Sequence, residues 1–296
     1  MKVALCVCGR NENRYAVEFV DYYKQLGFNH IYIADNNVDD GEHFEDVLQT
    51  YIDNHFVSII DYRNAVNFQV DYYNDIYNKI QDKYEWIAFF DFDEFLVLEK
   101  NKTIQDYLSR ECFKDYDQIL INWKIYTDND LVYDDGRSCI ERFTTPMEIY
   151  KCTKYKYYPE NKHVKKILRS GLNNFINFVH NGYGNIKTCN NKGIEINGSF
   201  PLQKINYDYA YIKHFMTKTI DEFIKTKYYR NLADSDPSYT MSNTYNCHIG
   251  WFFKINNITD SKIQYLIDHN INTDEINKEF INNWWTDDRN NIEDFN

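Results

Sequence analysis

The chain has 296 residues, of which 26% are charged and 18% aromatic, and its formal net charge is −12 at pH 7. So many aromatic residues are typical of a chain that folds around a hydrophobic core. The negative charge argues against a protein that coats nucleic acid, because phosphate binding requires a basic surface. The seven cysteines include no CxxC pair, which predicts buried thiols in a reducing compartment.

The first 90 residues alternate between short apolar runs and helical patterns. The apolar runs are KVALCVC, HIYIADNN, FVSIIDYRN and WIAFF. Between them, apolar residues recur at helical spacing from Asn13 to Leu26, in HFEDVLQTYID and in NFQVDYYNDIYNKIQ. Parallel neighbouring strands need a crossover helix, so four strands alternating with three helices predict an α/β fold with a mostly parallel central sheet flanked by helices.

The alternation weakens after residue 103. DQILINWKIY predicts a further strand, and residues 125–215 predict a mixture of strands and loops. A capping box formed by Thr219 and Glu222 predicts the start of a helix, and residues 260–285 indicate two short helices. We therefore divide the chain into residues 1–100, residues 101–259 of the same domain, and a C-terminal helical extension and tail at 260–296.

No apolar run reaches the roughly 18 residues of a membrane span. The first apolar run gives way to the polar sequence GRNEN too early for a signal peptide. These features predict a cytoplasmic location without a transmembrane segment.

An acidic triplet follows the fourth predicted strand in WIAFFDFDEFLVLEK: Asp91, Asp93 and Glu94. In open α/β sheets, ligands gather at the carboxyl ends of the strands, so four polar loops should converge at this edge. Carboxylate oxygens suit Mg²⁺ or Mn²⁺, which keep several waters and share a diphosphate. The alternative is a solvated loop between two strands, since DxD is common by chance.

A phosphatase of the haloacid dehalogenase type would also place DxD after an apolar strand. Proteins that resemble that family carry the motif DxDx[TV] near the start of the chain, and its first Asp is the nucleophile. Here Phe95 occupies the fifth position and three strand and helix units come first. The pattern therefore favours the metal site over a phosphatase nucleophile.

Five segments follow one another between about residues 3 and 231. They are GRNENRYAVEFVDYYKQLGFNHIYIADNNVDD, WIAFFDFDEFL, INWKIYTDNDLVYDDGRSCIERF, HVKKILRS and IKHFMTKTIDEFIKTKYYR. In this order they resemble successive motifs of the family 2-like and family 92 glycosyltransferases, many of which belong to bacterial surface polysaccharide pathways. The resemblance implies the GT-A fold, a nucleotide-sugar donor, Mn²⁺ or Mg²⁺, and inverting transfer to a hydroxyl.

The resemblance gives the acidic triplet its roles. Asp93, together with Asp91 directly or through water, would hold the metal that bridges the donor diphosphate. Glu94 would bind a metal water or orient the loop. His214, in YIKHF, resembles the histidine that completes the metal site in several GT-A enzymes. A structural role for His214 and a competing role for His248 both stay open.

Donor binding is expected at the ends of the first three strands. In this fold class the end of the second strand contacts the nucleobase, which points to Asp35, with Arg10 and Asn11 from the first loop and Arg63 from the third. Gln69 matches a glutamine of the family motif. The alternative for Asp35 is turn chemistry, which Asp and Asn favour without any ligand.

Inverting transfer needs a base that takes the proton of the acceptor hydroxyl. Asp128 and Asp130, in YTDNDLVYDDG, are the first candidates, and Glu141 is the second. Family sequences often carry glycine in this loop where this chain has Thr127 and Asp130. Trp123 is a candidate for stacking on a sugar, or a core residue.

Seven Lys or Arg lie between Lys151 and Arg169. Such a run is usually a solvated face, but KHVKKILR alternates charged with apolar residues. Lys166 and Arg169 are therefore candidates for binding the donor pyrophosphate or a lipid-phosphate acceptor.

Taken together, the resemblance implies transfer of a hexose, with galactose as the first expectation, from a UDP-sugar to an oligosaccharide or lipid-linked glycan in surface polysaccharide synthesis. Residues 1–100 would bind the nucleotide-sugar, and residues 101–259 would form the acceptor and catalytic half. Peripheral contact with the inner face of the membrane is a further expectation, and no nucleic acid partner is expected. A glycan-binding module without turnover is the alternative from another class.

Overall fold

The structure of the protein is a computed structural model and describes residues 1–147, 160–197, 202, 204–228 and 249–273. The chain forms two compact units. Unit 1 comprises residues 1–123 and 162–214, and unit 2 comprises residues 124–161 and 215–296. None of the helices described is long and apolar enough to cross a membrane.

Unit 1 contains nearly all of the β-strands among the described residues. The strands are β1 Val3–Gly9, β2 His30–Asp35, β3 Val57–Asp61, β4 Trp86–Phe89, β5 Glu94–Leu98, β6 Gln118–Ile125, β7 Val164–Arg169, β8 Phe175–Asn177, β9 Gly182–Gly184, β10 Thr188–Asn190, β11 Glu195–Ile196 and β12 Ala210–His214. The helices of this unit are α1 Asn13–Gln25, α2 Glu45–Asp53, α3 Gln69–Ile80 and α4 Ile104–Leu108, with a 3-10 turn at Glu111–Phe113.

The first four strands are parallel and lie in the order β3-β2-β1-β4. Strands β7 and β6 extend this sheet beyond β4 with antiparallel pairing, and β10 joins β6 in parallel. Strand β5 pairs antiparallel with β12. The predicted α/β fold class, with a central sheet flanked by helices, is confirmed, and the parallel part is the one that the alternating pattern predicted.

Helix α3 shows why the sequence pattern predicts these elements. Its buried residues recur at helical spacing and are Tyr72, Tyr73, Ile76, Tyr77 and Ile80. They pack on the sheet against Cys6, Ile87 and Phe89. Burying each large apolar side chain contributes about 1.5–3 kcal/mol, so this face fixes the helix on the strands.

Phe92 anchors the turn between β4 and β5. Its ring is buried and stacks on Phe44, with centroids 5.3 Å apart, and it also lies 4.8 Å from the ring of Phe19. The chain at this point is Asp91-Phe92-Asp93, so the central residue faces the core. An aromatic contact therefore anchors the centre of this turn in the core.

Unit 2 contains short helices. They are α5 Cys139–Arg142, α6 Ile220–Phe223 continued by a π-helical turn at Ile224–Tyr228, α7 Ile249–Ile255 and α8 Asp260–Asp268. The predicted capping box at Thr219 and Glu222 is confirmed. The carboxylate of Glu222 also accepts two hydrogen bonds from the fully buried guanidinium of Arg142, at 2.8 and 2.9 Å.

The second helix expected within residues 260–285 and the tail lie largely outside the described residues. The functional halves at residues 1–100 and 101–259 are a different division from the two compact units, and they stay a prediction.

Gly9 provides a test of the Phe92 anchor. A Cβ atom at Gly9 would lie 2.6 Å from the ring of Phe92 and 3.0 Å from Phe44. We expect Gly9→Ala to lower the free energy of unfolding by about 1–3 kcal/mol, because the ring has to move. Urea unfolding measures this. In a Phe92→Leu background the same change at Gly9 should cost less than in the wild type, and an equal cost there would contradict the proposed clash.

Candidate active site

The carboxyl ends of the four parallel strands meet at one edge of the sheet in unit 1. Gly9 at the end of β1 is in register with Asp35 at the end of β2, which is in register with Asp61 at the end of β3. Phe89, two residues before Asp91, pairs with Cys6 of β1. The predicted convergence of polar loops at this edge is therefore present.

Asp91 is bound by a buried lysine. Its Oδ2 lies 2.6 Å from Nζ of Lys165, and its Oδ1 accepts a 3.4 Å hydrogen bond from Gln69. Lys165 has no exposed side-chain surface, whereas Asp91 is 31% exposed. Asp91 is therefore accessible on one side and charge-balanced on the other.

Glu94 is the buried member of the triplet. Its carboxylate accepts a 3.0 Å hydrogen bond from the backbone N–H of Asp91 and lies 3.7 Å from Nζ of Lys165. Burial raises the pKa of Glu94 well above its ordinary value, against the lowering effect of Lys165. Burial alone would lower the pKa of Lys165, but the neighbouring carboxylates outweigh it and raise this pKa, so the ammonium stays charged.

Asp93 and His214 form the second part of this cluster. The antiparallel pairing of β5 with β12 puts His214 opposite Glu94. Nε2 of His214 lies 3.3 Å from Oδ1 of Asp93, and both side chains are mostly buried. The ring of Trp123 covers His214 at a centroid distance of 4.3 Å and stacks on His163 at 5.0 Å.

This geometry fits one divalent cation. Two ligands that bind one cation at right angles, with bonds of about 2.1 Å, lie roughly 3 Å apart, close to the separation of Asp93 and His214. Among the described residues, no group of three or more His, Cys, Asp or Glu converges on one point. Two protein ligands suffice for Mg²⁺ or Mn²⁺, because waters and substrate phosphates supply the others.

The residues expected to bind the donor lie together at the ends of β1, β2 and β3. Asp35 is almost completely buried and forms an ion pair with Arg63. The carboxylate of Asp35 also accepts hydrogen bonds from the backbone and side-chain amides of Asn37, at 2.9 and 2.7 Å. Arg10 donates to the backbone carbonyl of Asn36 at 2.8 Å.

Asn11 and His43 complete this group. The backbone N–H of Asn11 donates to Oδ1 of Asn37 at 2.8 Å, and Asn11 has a φ of 57°, in the left-handed region. Nδ1 of His43 lies 2.8 Å from Nη2 of Arg63. The sequence analysis names Arg10, Asn11, Asp35 and Arg63 as donor-binding candidates, whereas no motif singles out Asn37 or His43.

The two basic residues chosen from KHVKKILR lie elsewhere. The ammonium of Lys166 is buried and donates to the carbonyl of Phe178, over the rings of Tyr73 and Phe89. Arg169 pairs in register with Trp86, at the start of β4 and so away from Asp91, and donates to backbone carbonyls of Tyr116 and Phe113.

Lys165, which no sequence pattern singles out, contacts the acidic triplet. Strand β7 runs antiparallel to β4, so the residue before Lys166 lies closer to the acidic end of β4. That pairing is the signal that would have identified Lys165, and it is not visible in the sequence.

The base candidates belong to unit 2. Oδ2 of Asp128 lies 2.6 Å from Nζ of Lys262, which also contacts Asp130 at 3.0 Å. Asp130 is half-exposed and has a φ of 60°, the region that favours the glycine often found in this loop. Burial raises the pKa of Asp128 to about 6, against the lowering effect of Lys262.

Glu141 is engaged locally. Its carboxylate accepts hydrogen bonds from the hydroxyl and backbone N–H of Ser138, at 2.9 and 3.2 Å, in the capping box of α5. The hydroxyl hydrogen bond lowers the pKa of Glu141, which makes it a weaker base than Asp128. The other histidine considered for the metal, His248, lies outside the described residues.

The fold is that of an open α/β protein, a class in which ligands are generally bound at the carboxyl ends of the parallel strands. The chain belongs to glycosyltransferase family 92, because the family model "Glycosyltransferase family 92" matches residues 1–246. This confirms the family 92 resemblance, and it confirms the predicted enzyme class at the level of the family.

A curated relative agrees with this membership. A glycosyltransferase family 92 protein of Oryza sativa subsp. japonica is 33% identical over 114 residues, which cover 38% of this chain. The matched part spans only 19% of that rice protein.

Solved structures of glycosyltransferases are distantly similar. The structure of S. aureus TarS 1-349 in complex with UDP has a TM-score of 0.37 and 15% identity, covering 57% of this chain and 47% of that one. The mannosyltransferase PcManGT from Pyrobaculum calidifontis, in complex with GDP-Man and Mn²⁺, has a TM-score of 0.32 and 11% identity, covering 40% and 35%.

The ion pair between Asp35 and Arg63 should contribute measurably to the free energy of unfolding. We expect Arg63→Met to lower the free energy of unfolding by about 3 kcal/mol, because it leaves the buried carboxylate of Asp35 without its partner. Urea unfolding gives the value. Asp35→Asn/Arg63→Met should lose clearly less than the single variant. Lys114→Met, which breaks an exposed pair with Glu111, serves as the control and should leave the midpoint unchanged.

Proposed function

We propose that this family 92 protein is a metal-dependent inverting glycosyltransferase that moves a hexose from a UDP-sugar to a hydroxyl of a glycan. The observation that carries the proposal is the pairing of Asp93 with His214 on the same sheet edge as the buried ion pair between Asp35 and Arg63. A carboxylate and imidazole pair suits a divalent cation, and the second cluster offers charged and polar groups for a nucleotide.

In this proposal the nucleotide lies at the ends of β1 to β3. Arg63 and Asn37 hold Asp35 in one orientation, and the family resemblance implies that Asp35 contacts the nucleobase or ribose. Arg10 and Asn11 border the same strand ends through their contacts with the second loop. Preorganised polar groups of this kind bind a ligand with little loss of side-chain entropy.

Asp93 and His214 would hold Mn²⁺ or Mg²⁺, with Asp91 contributing directly or through a water. A cation bound there would supply positive charge to the leaving nucleotide diphosphate. Gln69, which donates to Asp91, would help to orient that carboxylate. The side-chain nitrogens of Lys166 and Arg169 donate to backbone carbonyls. Their proposed role as phosphate ligands stays a prediction.

Asp128 is the proposed base. Its pKa of about 6 lies between that of an ordinary carboxyl group and neutral pH, so it is mostly deprotonated at pH 7 and still basic enough to accept a proton. The hydroxyl proton of the acceptor would pass to a carboxylate oxygen of Asp128 as the oxygen attacks the anomeric carbon. Asp130 is the second candidate and Glu141 the third.

The finer parts of the proposal come from the family resemblance. They are galactose as the transferred hexose, an oligosaccharide or lipid-linked glycan as acceptor, and surface polysaccharide synthesis in the cytoplasm, at the inner face of the membrane. We also propose that residues 1–100 bind the donor and residues 101–259 serve the acceptor.

A thermal-shift panel tests donor and metal binding. UDP, GDP, CMP and their sugars are added with and without Mn²⁺ to the wild type, Asp93→Asn and His214→Gln. At 100 times its dissociation constant, a ligand of the folded state adds about 2.7 kcal/mol of stability. We expect one UDP-sugar to raise the melting temperature of the wild type only with Mn²⁺, and neither variant to respond.

Asp53→Asn, at the end of α2, is the matched control for removal of a carboxylate, and it should respond like the wild type. If no nucleotide shifts any curve under any metal, the donor site is wrong. In that case a glycan that stabilises the protein would favour the binding-module alternative.

A pH profile tests the base. With a saturating metal concentration, kcat/KM should fall tenfold per pH unit below about pH 6, because protonated Asp128 cannot accept the proton. Asp128→Asn should lower the rate by about 10²–10⁴-fold. If Glu141→Gln removes the acidic limb and Asp128→Asn leaves it in place, Glu141 is the base and the assignment is overturned.

A further inference from the structure

Lys165 places a buried positive charge next to two carboxylates of the acidic triplet. Its side chain has no exposed surface, and its ammonium lies 2.6 Å from Asp91 and 3.7 Å from Glu94. A buried ammonium is retained in a fold only when carboxylates or hydrogen bonds balance its charge. Being completely buried, Lys165 acts on a bound ligand through Asp91 and Glu94 and not by direct contact.

The next residue on the strand shows that this placement is specific. Lys166 is buried to the same extent, but its ammonium donates to the carbonyl oxygens of Phe178 and Val179. Successive side chains of a strand point to opposite faces of the sheet. Of these two adjacent buried lysines, Lys165 therefore contacts the acidic triplet, whereas Lys166 contacts backbone carbonyls.

A permanent cation at this position changes what the triplet offers to a metal. Asp91 has one oxygen in contact with Lys165, and the positive charge opposes any divalent cation that enters nearby. In a partly buried site this repulsion is only weakly screened by water. Asp93 and His214 alone then form a weak site, while the two negative phosphates of a donor add ligands and charge that offset the repulsion.

We propose that Lys165 is a positioning residue that fixes Asp91 and weakens the intrinsic metal affinity of the triplet, so that the divalent cation binds tightly only together with the donor diphosphate. This inference rests on the proposed function for the identity of the donor. It goes further in making metal and nucleotide binding mutually dependent, since coupling between two ligands is reciprocal. The positive charge of Lys165 would prevent tight metal binding at this site in the absence of the donor.

The test is a titration with Mn²⁺, in which free Mn²⁺ is followed by electron paramagnetic resonance with and without UDP. Four proteins are compared: wild type, Lys165→Met, Lys165→Arg and Lys166→Met. We expect Lys165→Met to tighten Mn²⁺ binding without UDP by at least about tenfold and to reduce the enhancement that UDP gives. Lys165→Arg keeps the charge and should behave like the wild type.

Lys166→Met is the matched control, because it removes a neighbouring buried lysine side chain from the same strand. Its affinity for Mn²⁺ without UDP should stay within about twofold of the wild type, since Nζ of Lys166 donates to backbone carbonyls of Phe178 and Val179. A purely structural role of Lys165 would give Lys165→Met and Lys166→Met the same Mn²⁺ affinity, and that result overturns the inference.

Folding is checked by circular dichroism and thermal melting. If Lys165→Met does not fold, Lys165→Met/Glu94→Gln removes one buried carboxylate with the ammonium. It should bind Mn²⁺ more tightly than Glu94→Gln alone, and equal or weaker binding contradicts the proposal. A wild type whose Mn²⁺ binding depends on UDP, with no tightening in Lys165→Met, overturns this inference alone. A wild type that binds neither Mn²⁺ nor UDP overturns the proposed function as well.

Discussion

The burial of Phe92 is the constraint on which the candidate metal site depends. Its ring packs between Phe19 and Phe44, so the chain between β4 and β5 must place its central residue in the core. Asp91 and Asp93 flank that residue and are left for polar partners, Lys165 and His214. The sequence DFDEF therefore combines a hydrophobic anchor with two carboxylates, and the anchor gives the carboxylates their fixed positions.

Much of this arrangement was predictable, because it depends on local sequence pattern. Strands β1 to β4 and helices α1 to α3 each have the apolar period of their type, and parallel strands bring their carboxyl ends together. This rule brings Asp35 and Arg63 to the same edge of the sheet, although it does not predict their ion pair. The contact between Asp91 and Lys165 did not, because it joins residues 74 positions apart through an antiparallel pairing. Lys166 and Arg169 were equally plausible on charge alone.

The same limit explains the loop that carries the base candidates. The sequence identifies Asp128 and Asp130 as acidic residues after an apolar strand. It gives no sign that a buried lysine more than 130 residues later would sit between them. The left-handed conformation of Asp130 was indicated only by the glycine that is common at this loop in related sequences. Local patterns thus define which side chains are available, whereas the protonation state of each depends on distant partners.

The contact of Lys262 with Asp128 has a consequence for the order of folding during synthesis. Lys262 lies on α8 and is translated long after the loop that contains Asp128. Until α8 leaves the ribosome, the carboxylate has no cation with which to share a buried position, and burying it alone would be costly. The loop can therefore reach its native charge state only after α8 has been made.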